Sequence, residues 1–187
     1  MQLYLIRHPQ PVINPGVCYG RSDLDIAPDF CSSEQNWLTH LHSLQADIVI
    51  SSPALRCRRL AEALASNWIS DERLLELNFG DWEMQAWDSI PIAAMRFWSD
   101  DYVNRAPPGG ESFQQLASRV EHWLNELCRN HNQQRVLVIT HAGVIRALLA
   151  QTLQLPLADS FKFSIDYGSC SALHYTDHGW HISFINR

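Results

Sequence analysis

Three short, almost wholly apolar runs recur along the chain, and each ends in polar or charged residues. Such short apolar runs are typical of strands covered on both faces, as in a parallel sheet. They predict strands at residues 2–7, 46–51 and 135–140. Elsewhere, apolar residues recur at helical spacing. This spacing predicts helices at residues 51–67, 112–131 and 143–153.

The last part of the chain has the pattern of a hairpin. Residues 171–175 and 180–185 resemble strands, and residues 177–179 predict a turn between them. Strands that alternate with helices predict an α/β fold, a three-layer α/β/α sandwich with a mostly parallel central sheet. No linker or repeat divides the sequence, so we expect a single domain over residues 1–187. Residues 78–111 are rich in tryptophan and irregular, and we expect them to form a small lid insertion.

Composition excludes several classes of protein. Of the 187 residues, 46% are apolar and 18% are charged, which is typical of a folded globular protein and excludes wholesale disorder. The 14 basic and 20 acidic residues give a net charge of −6, so no broad basic surface is expected for nucleic acid. No apolar run approaches the roughly 20 residues of a membrane helix. The first apolar run is too short for a signal peptide and is closed by Arg7. We therefore expect a cytoplasmic protein that binds neither nucleic acid nor membranes.

Five cysteines are scattered along the chain without a close pair. They are Cys18, Cys31, Cys57, Cys128 and Cys170. An odd number without close spacing argues against a disulfide framework and against a zinc site. We interpret most of them as small buried hydrophobic residues.

The predicted parallel strands end in residues that suit phosphate chemistry. Arg7 and His8 end the first strand, Arg56 follows the second, and His141 ends the third. Ligands bind at the carboxyl ends of the strands in such sheets, so we expect these side chains to face one crevice. Arginine forks fit phosphate oxygens, and histidine can be a neutral nucleophile near pH 7.

This arrangement favours transfer of a phosphoryl group to His8, which would form a phosphohistidine. No metal ion is needed where fixed positive groups neutralise the developing charge. The leaving group needs a proton donor, and Glu76 and Glu83 are the candidates on either side of a Phe-Gly turn. Each residue also has an ordinary structural interpretation, because a histidine at a strand end is often structural and Arg56 would equally suit a solvated helix.

Five segments, in order, resemble the motifs of the histidine phosphatase (phosphoglycerate mutase-like) superfamily. They are LIRHPQPVIN, ISSPALRCRRLAEAL, LLELNFGDWE, PPGGESFQQLASRV and VLVITHAGVIRALL. The last of them ends at residue 149, so the resemblance covers most of the chain. It implies a phosphoglycerate mutase-like fold and an enzyme that needs no cofactor and no metal ion.

The resemblance also implies a role for each matched residue. His8 corresponds to the phosphorylated nucleophile, and Arg7 and Arg56 correspond to the arginines that hold the phosphate. His141 corresponds to a second histidine that donates to a phosphoryl oxygen. Glu76 corresponds to the proton donor, which would later activate the hydrolytic water.

Two further positions carry information from the first motif. Asn14 corresponds to an asparagine that contacts the phosphate. Pro9 stands where the superfamily has a glycine after the nucleophile. Proline has no N–H, so a phosphate contact by that amide is absent here. Because the catalytic side chains are intact, we interpret Pro9 as a trait of a subgroup.

The segments GVCYGRSDLDI and LNFGDWEMQAWDSIP most resemble α-ribazole phosphatase-type members of the superfamily. This resemblance implies a small-molecule substrate, α-ribazole 5′-phosphate, in assembly of the cobalamin nucleotide loop. It also places Arg21 at the substrate mouth, where it contacts the phosphate or an acidic group, or is simply a loop charge. Trp82, Trp87 and Trp98 would either stack on an aromatic base or form the core of the lid.

Other functions stay open from the sequence. A broad-specificity or sugar-phosphate phosphatase would share these motifs, as would a phosphoglycerate mutase-type enzyme or an inactive scaffold. The small insertion favours a phosphatase over a mutase, because water must reach the phosphohistidine. A metalloenzyme would use His174, His178 and His181, or His40 and His42, although neither spacing brings its members easily to one point.

Overall fold

The computed structural model describes residues 1–28, 30 and 35–187. Within this part of the chain, six strands form one sheet. They are β1 (Gln2–Arg7), β2 (Ile48–Ser51), β3 (Ile69–Ser70), β4 (Arg135–Thr140), β5 (Cys170–Thr176) and β6 (Gly179–Phe184). The order across the sheet is β3-β2-β4-β1-β5-β6, with β3, β2, β4 and β1 parallel and β5 and β6 antiparallel.

Helices cover both faces of this sheet. They are α1 (Gln35–Ser43), α2 (Leu55–Leu64), α3 (Ile92–Ser99), α4 (Phe113–Asn130) and α5 (Ala142–Thr152). The helices α1 and α2 pack on one face, and α4 and α5 pack on the other. The predicted α/β/α sandwich with a mostly parallel sheet is therefore confirmed.

Strand β4 shows why its four middle residues are all apolar. Val136 and Val138 contribute to the core under α4 and α5, whereas Leu137 and Ile139 contribute to the core under α1 and α2. Successive side chains of a strand point to opposite faces, so a strand covered on both faces has no polar positions in its middle. All four side chains are buried, and the strand ends at the polar residue Thr140.

The expectation of an irregular segment at residues 78–111 is corrected by the structure. Helix α3 lies inside this segment, and residues 80–82 and 87–89 form short 3₁₀ turns. None of the side chains of α3 is fully buried, and Ile92 and Phe97 are among the exposed apolar residues of the chain. Apolar residues on the outer as well as the inner face of α3 remove the one-sided pattern by which a surface helix is recognised.

The insertion, residues 78–111, is called the lid below. It is joined to the loop that follows β1, because the amide of Cys18 donates to the carbonyl of Gln85 at 2.9 Å and Val17 pairs with Ala86. No described helix is long and apolar enough to cross a membrane.

The cysteines agree with their interpretation as small apolar residues where the structure describes them. Cys18, Cys57 and Cys170 are buried, Cys128 is half-buried, and these four are unpaired. Cys31 lies outside the described residues.

Candidate active site

The predicted nucleophile, His8, directly follows β1 and is almost fully buried. Its amide donates to the carbonyl of Thr140 at 3.0 Å, which fixes its backbone against the end of β4. Its Nδ1 lies 2.6 Å from the carbonyl oxygen of Pro9. Its Nε2 lies 3.3 Å from Nε of Arg56, which can only donate. The proton of the imidazole is therefore on Nδ1, and the unprotonated Nε2 accepts from Arg56.

Pro9 keeps the group on which this arrangement depends. The proline ring removes the amide N–H but leaves the carbonyl oxygen, and that oxygen accepts from Nδ1 of His8. Proline in place of glycine therefore removes one amide N–H that would donate to phosphate, but it leaves the tautomer of His8 unchanged.

Arg56 lies on α2 with a fully buried side chain. Its terminal nitrogens donate to the carbonyls of Gly20 and Ser22 at 2.7 and 2.8 Å. No carboxylate of the described residues forms an ion pair with it. Because a buried charge is unfavourable without a partner, this position favours binding of an anion.

Gly20 permits this contact through a backbone shape that other residues rarely adopt. Its φ is +39°, and a Cβ at this position would collide with the side chain of Glu83 and the carbonyl of Leu77. The close approach is possible only for glycine. It brings the Gly20 carbonyl to Arg56 and fixes the guanidinium beside the histidines.

The side chain of Arg7, the last residue of β1, is held by residues of the loop before β5. One terminal nitrogen donates to the carbonyl of Ile165 at 2.6 Å, and the guanidinium lies 3.6 Å from the ring centroid of Tyr167. The hydroxyl of Tyr167 is 2.8 Å from that of Tyr19, whose ring lies 5.2 Å from the guanidinium carbon of Arg56. The two tyrosines thus form a bridge beside both arginines.

The second predicted histidine, His141, precedes the first turn of α5 and is fully buried. Its ring centroid lies 5.0 Å from that of His8. Its Nδ1 lies 3.3 Å from a terminal nitrogen of Arg56 and therefore accepts. The proton is on Nε2, which donates to the hydroxyl of Ser52 at 2.8 Å.

Both imidazoles are held neutral by their surroundings. Burial lowers the pKa of His8 well below its usual value of 6.5, and the charges of Arg56 and Arg7 lower it further. Burial, followed by the charge of Arg56 and the neighbouring His8, lowers the pKa of His141 in the same direction. A neutral His8 with no proton on Nε2 is the form that can attack phosphorus.

The structure distinguishes the two candidate proton donors. The carboxylate of Glu76 accepts from the amides of Leu77 and Gly143 at 2.9 and 3.2 Å, the latter in the first turn of α5 next to His141. Glu83 instead accepts from the amides of Arg21 and Phe79 at 2.8 and 3.1 Å and holds two loops together. Glu76 therefore lies with the histidines, and Glu83 has a structural position.

Two predicted contact residues do not join this cluster. The guanidinium of Arg21 pairs with Glu111 at 2.8 Å, and its Nε donates to the carbonyl of Glu76 at 3.0 Å. Glu111 also pairs with Arg119 at 2.7 Å. The structure thus supports the interpretation of Arg21 as a loop charge. Asn14 is exposed, and its side chain has no hydrogen bond to the described residues.

The tryptophans of the lid pack on one another. Trp82 is buried, and its ring centroid lies 5.8 Å from that of Trp98. The ring of Phe79 lies between Trp87 and Trp98, at 5.3 and 5.9 Å. These contacts support the second of the two interpretations, in which the tryptophans form the core of the lid.

The sequence motifs and this geometry agree with a comparison against protein families. A model described as histidine phosphatase superfamily, branch 1, matches residues 3–187. The chain belongs to the histidine phosphatase superfamily. The resemblance in the five motifs is thereby confirmed, and the chain is a phosphoric monoester hydrolase.

Named relatives of this histidine phosphatase act on different esters. The adenosylcobalamin/α-ribazole phosphatase of Escherichia coli is 31% identical over 92% of this chain and 89% of its own length. The phosphoserine phosphatase 1 of Hydrogenobacter thermophilus is 27% identical over 93% of this chain and 86% of its own length. The crystal structure of the α-ribazole phosphatase from Shigella flexneri is similar with a TM-score of 0.90 and 27% identity, over 100% of this chain and 96% of that one.

The sequence analysis assigned no contact to several residues around the phosphatase site. Tyr167 reaches Arg7 from the loop before β5, and no motif covers that loop. Tyr19 lies in the segment, residues 19–23, that the resemblance places at the substrate mouth, but only Arg21 was given a contact there. Ser52 was visible as a polar residue after a strand, but its contact with His141 depends on the pairing of β2 with β4.

The histidines considered for a metal site lie apart from this cluster. His174 faces His181 across β5 and β6, and His40 and His42 lie in the last turn of α1. In the part of the chain that the structure describes, no three His, Cys, Asp or Glu side chains are grouped closely enough to hold a metal ion.

Proposed function

We propose that this enzyme hydrolyses phosphomonoesters through a phosphohistidine at His8, without a cofactor or metal ion. The observation that carries the proposal is the unprotonated Nε2 of His8, whose lone pair accepts from Nε of the buried Arg56 guanidinium at 3.3 Å. An attacking atom and an unpaired positive charge at one point fit a phosphoryl group. The guanidinium of Arg7, at the end of β1, supplies a second positive charge.

In the first step, Nε2 of His8 attacks phosphorus and the bond between phosphorus and the ester oxygen breaks. The leaving oxygen takes a proton from the carboxyl group of Glu76 in its acid form. The products are a phosphorylated His8, the free alcohol and a Glu76 carboxylate, so protons and charge balance.

In the second step, the Glu76 carboxylate takes a proton from water while the water oxygen attacks phosphorus. The bond between phosphorus and Nε2 breaks, which releases inorganic phosphate and restores neutral His8. Glu76 returns to its acid form. This step uses the same carboxylate in the opposite direction.

His141 gains its role when the substrate is bound. The nitrogen that faces Arg56 is Nδ1, which carries no proton in this structure. A dianionic phosphate beside the ring favours its cationic form, because an opposite charge raises the pKa of a histidine. The ring then donates from Nδ1 to a phosphoryl oxygen while Nε2 keeps its bond to Ser52.

The proposed substrate is α-ribazole 5′-phosphate, the ester expected from the loops of the sequence. The similarity to α-ribazole phosphatases in both sequence and structure supports it. The tryptophans of the lid do not, since they pack on one another. A different aromatic site for the base is a cavity of about 370 Å³ beside Pro9, which is lined in part by Trp37 and Tyr167. The alternative substrate class is a broad range of phosphate esters hydrolysed by the same steps.

The mechanism is tested by trapping the phosphoenzyme. Wild-type protein incubated with ³²P-labelled ester and quenched in alkali should carry acid-labile, alkali-stable label, and His8→Ala should carry none. His8→Ala should also lose at least about 10³-fold in kcat. The exposed His178→Ala is the matched control. Label on His8→Ala, or full activity of that variant, would exclude His8 as the nucleophile.

The substrate is tested with a panel of esters in EDTA. The panel contains p-nitrophenyl phosphate, 3-phosphoglycerate, fructose bisphosphates and α-ribazole 5′-phosphate. A strong preference for α-ribazole 5′-phosphate is expected. Weak and equal activity across the panel would instead support the broad-specificity alternative.

A further inference from the structure

Arg7 is held by fewer hydrogen bonds than Arg56, the other arginine of the proposed phosphate site. Arg56 donates to two carbonyls, and its guanidinium also contacts His8 and His141. The guanidinium of Arg7 makes one hydrogen bond to the described residues, from a terminal nitrogen to the carbonyl of Ile165, and its Nε is buried without a partner. A single hydrogen bond at one corner does not fix the plane of a guanidinium. The orientation of Arg7 therefore depends on another contact.

The ring of Tyr167 lies against the guanidinium of Arg7. The central carbon of the guanidinium is 3.6 Å from the ring centroid. In the other four contacts between an arginine and an aromatic ring in the described part of the chain, this distance is 4.3–5.2 Å. A ring as close as that of Tyr167 limits how far the guanidinium can turn, and its electron-rich face attracts the positive charge.

The backbone on both sides of Tyr167 is held by hydrogen bonds. Before it, the amide of Asp166 donates to the side-chain oxygen of Asn186 at 2.6 Å, and the Asp166 carboxylate accepts from the side-chain nitrogen of Asn186 at 2.9 Å. After it, the amide of Gly168 donates to the carbonyl of His8 at 3.3 Å. The ring of Tyr167 therefore has a firm support, although the residue is 39% exposed.

We propose that Tyr167 is a positioning residue, whose ring holds the Arg7 guanidinium in the orientation that binds a phosphoryl oxygen. The inference rests on the proposed function, in which Arg7 supplies a second positive charge to the phosphoryl group. The second terminal nitrogen of Arg7 has no partner among the described residues and is not sealed from solvent, so it is available to an anion. A ring that stacks on the face of a guanidinium leaves its N–H groups free, because they lie in the guanidinium plane.

The test is a double-mutant cycle that measures binding of inorganic phosphate. Tyr167→Leu removes the ring, and where Arg7 is present it should raise the Kd for phosphate about tenfold, the order of a cation–π contact shielded from water. In a chain that already carries Arg7→Met, the same change should have almost no effect, because the residue through which the ring acts is absent. Titration calorimetry measures Kd for the four proteins of the cycle, and urea unfolding confirms that each is folded.

Two further variants separate the ring of Tyr167 from its hydroxyl and from aromatic rings elsewhere. Tyr167→Phe keeps the ring and removes the hydroxyl that lies 2.8 Å from that of Tyr19, so it should keep a Kd close to that of the wild type. Phe97→Leu is the matched control, because the ring of Phe97 lies 4.3 Å from the guanidinium carbon of Arg105 within the lid. Phe97→Leu should leave the Kd for phosphate unchanged.

The outcomes separate this inference from the proposed function. Equal increases of Kd from Tyr167→Leu with and without Arg7 would overturn the inference, because the ring would then act independently of Arg7. A Kd in Tyr167→Phe as high as in Tyr167→Leu would overturn it as well, since the hydroxyl and not the ring would be responsible. A wild type that binds phosphate but hydrolyses no ester, p-nitrophenyl phosphate included, would overturn the proposed function, and the cycle would still decide the role of Tyr167.

Discussion

The active site and the lid differ in whether their arginines are paired with a carboxylate. In and beside the lid, Arg21 and Arg119 share the carboxylate of Glu111 at 2.8 and 2.7 Å. In the active site, Arg7 and Arg56 have carbonyl, aromatic and imidazole partners, but no described carboxylate pairs with either. We expect the paired charges to stabilise the chain, and we propose that the unpaired charges bind phosphate. A site that binds anions is less stable without them, as is common for functional sites.

Among the tests of this comparison, the largest expected effect comes from removal of the buried active-site charge. Arg56→Met should lower kcat/KM by about 10²–10³-fold or more, because it removes a fixed donor to the charge that develops on phosphate. Vanadate inhibition should weaken with it. Inorganic phosphate at about 100 times its Kd should stabilise the wild type by about 2.7 kcal/mol, and this gain should vanish in the variant.

Arg59, on the same helix, is the control for Arg56. It is exposed and pairs with Asp25 at 2.9 Å, so Arg59→Met should keep both activity and the stabilisation by phosphate. Unchanged vanadate inhibition in Arg56→Met would show that Arg56 does not bind phosphate. The difference drawn between the charges of the active site and those of the lid would then be wrong.

The lid should show the reverse pattern, a loss of stability with the chemistry preserved. Trp82→Ala removes a buried ring that packs on Trp98, and should lower the free energy of unfolding by about 3–5 kcal/mol. At a temperature where the variant is folded, hydrolysis of p-nitrophenyl phosphate should continue. Urea unfolding measures the loss of stability, and a rate assay at that temperature measures the remaining hydrolysis. A folded variant without activity would show that Trp82 acts in the site.

Glu111 offers a smaller test of the paired charges. Glu111→Gln leaves Arg21 and Arg119 without their carboxylate, and should lower the free energy of unfolding by about 1–3 kcal/mol, a range reduced for partial exposure. High salt should narrow the difference between variant and wild type. An unchanged free energy of unfolding would mean that this network contributes no net stability.

Near neutral pH, the smallest effect is a dependence of stability on pH. The pKa values of His8 and His141 are lowered in the folded state, so the unfolded chain takes up protons first as the pH falls below about 6.5. The free energy of unfolding should therefore be highest above this pH and should decrease below it, by at most about 1.4 kcal/mol per pH unit for each histidine.

Urea titrations at pH 7.5, 6.5 and 5.5 measure this dependence. His141→Gln removes one of the two groups and should show a shallower decrease than the wild type over the same range. An identical decrease in both proteins would mean that His141 takes up a proton as readily in the folded chain as in the unfolded one.

The sequence was informative where the chemistry lies next to a strand in the chain. His8 and His141 directly follow the strands β1 and β4, so recognition of two apolar runs was enough to place them together. Arg56 follows β2 after a short turn. The parallel arrangement of these strands then determines that their carboxyl ends meet.

The sequence was not informative where a partner is distant along the chain. The choice between the two interpretations of Arg21 depended on Glu111, which is 90 residues away. Tyr167 meets Arg7 only because β5 pairs with β1. Helix α3 was missed because its apolar residues are not confined to one face.

The strand order has a consequence for how the chain folds. β1 comes first, but its two neighbours in the sheet are β4 and β5, which come much later. During synthesis the apolar run of β1 therefore leaves the ribosome long before either partner exists, and it must be kept from other surfaces until then. The proposed nucleophile shares this delay, because the amide of His8 is fixed by the end of β4. Catalytic activity should therefore appear late in folding, at the same time as β4 and β5 pair with β1.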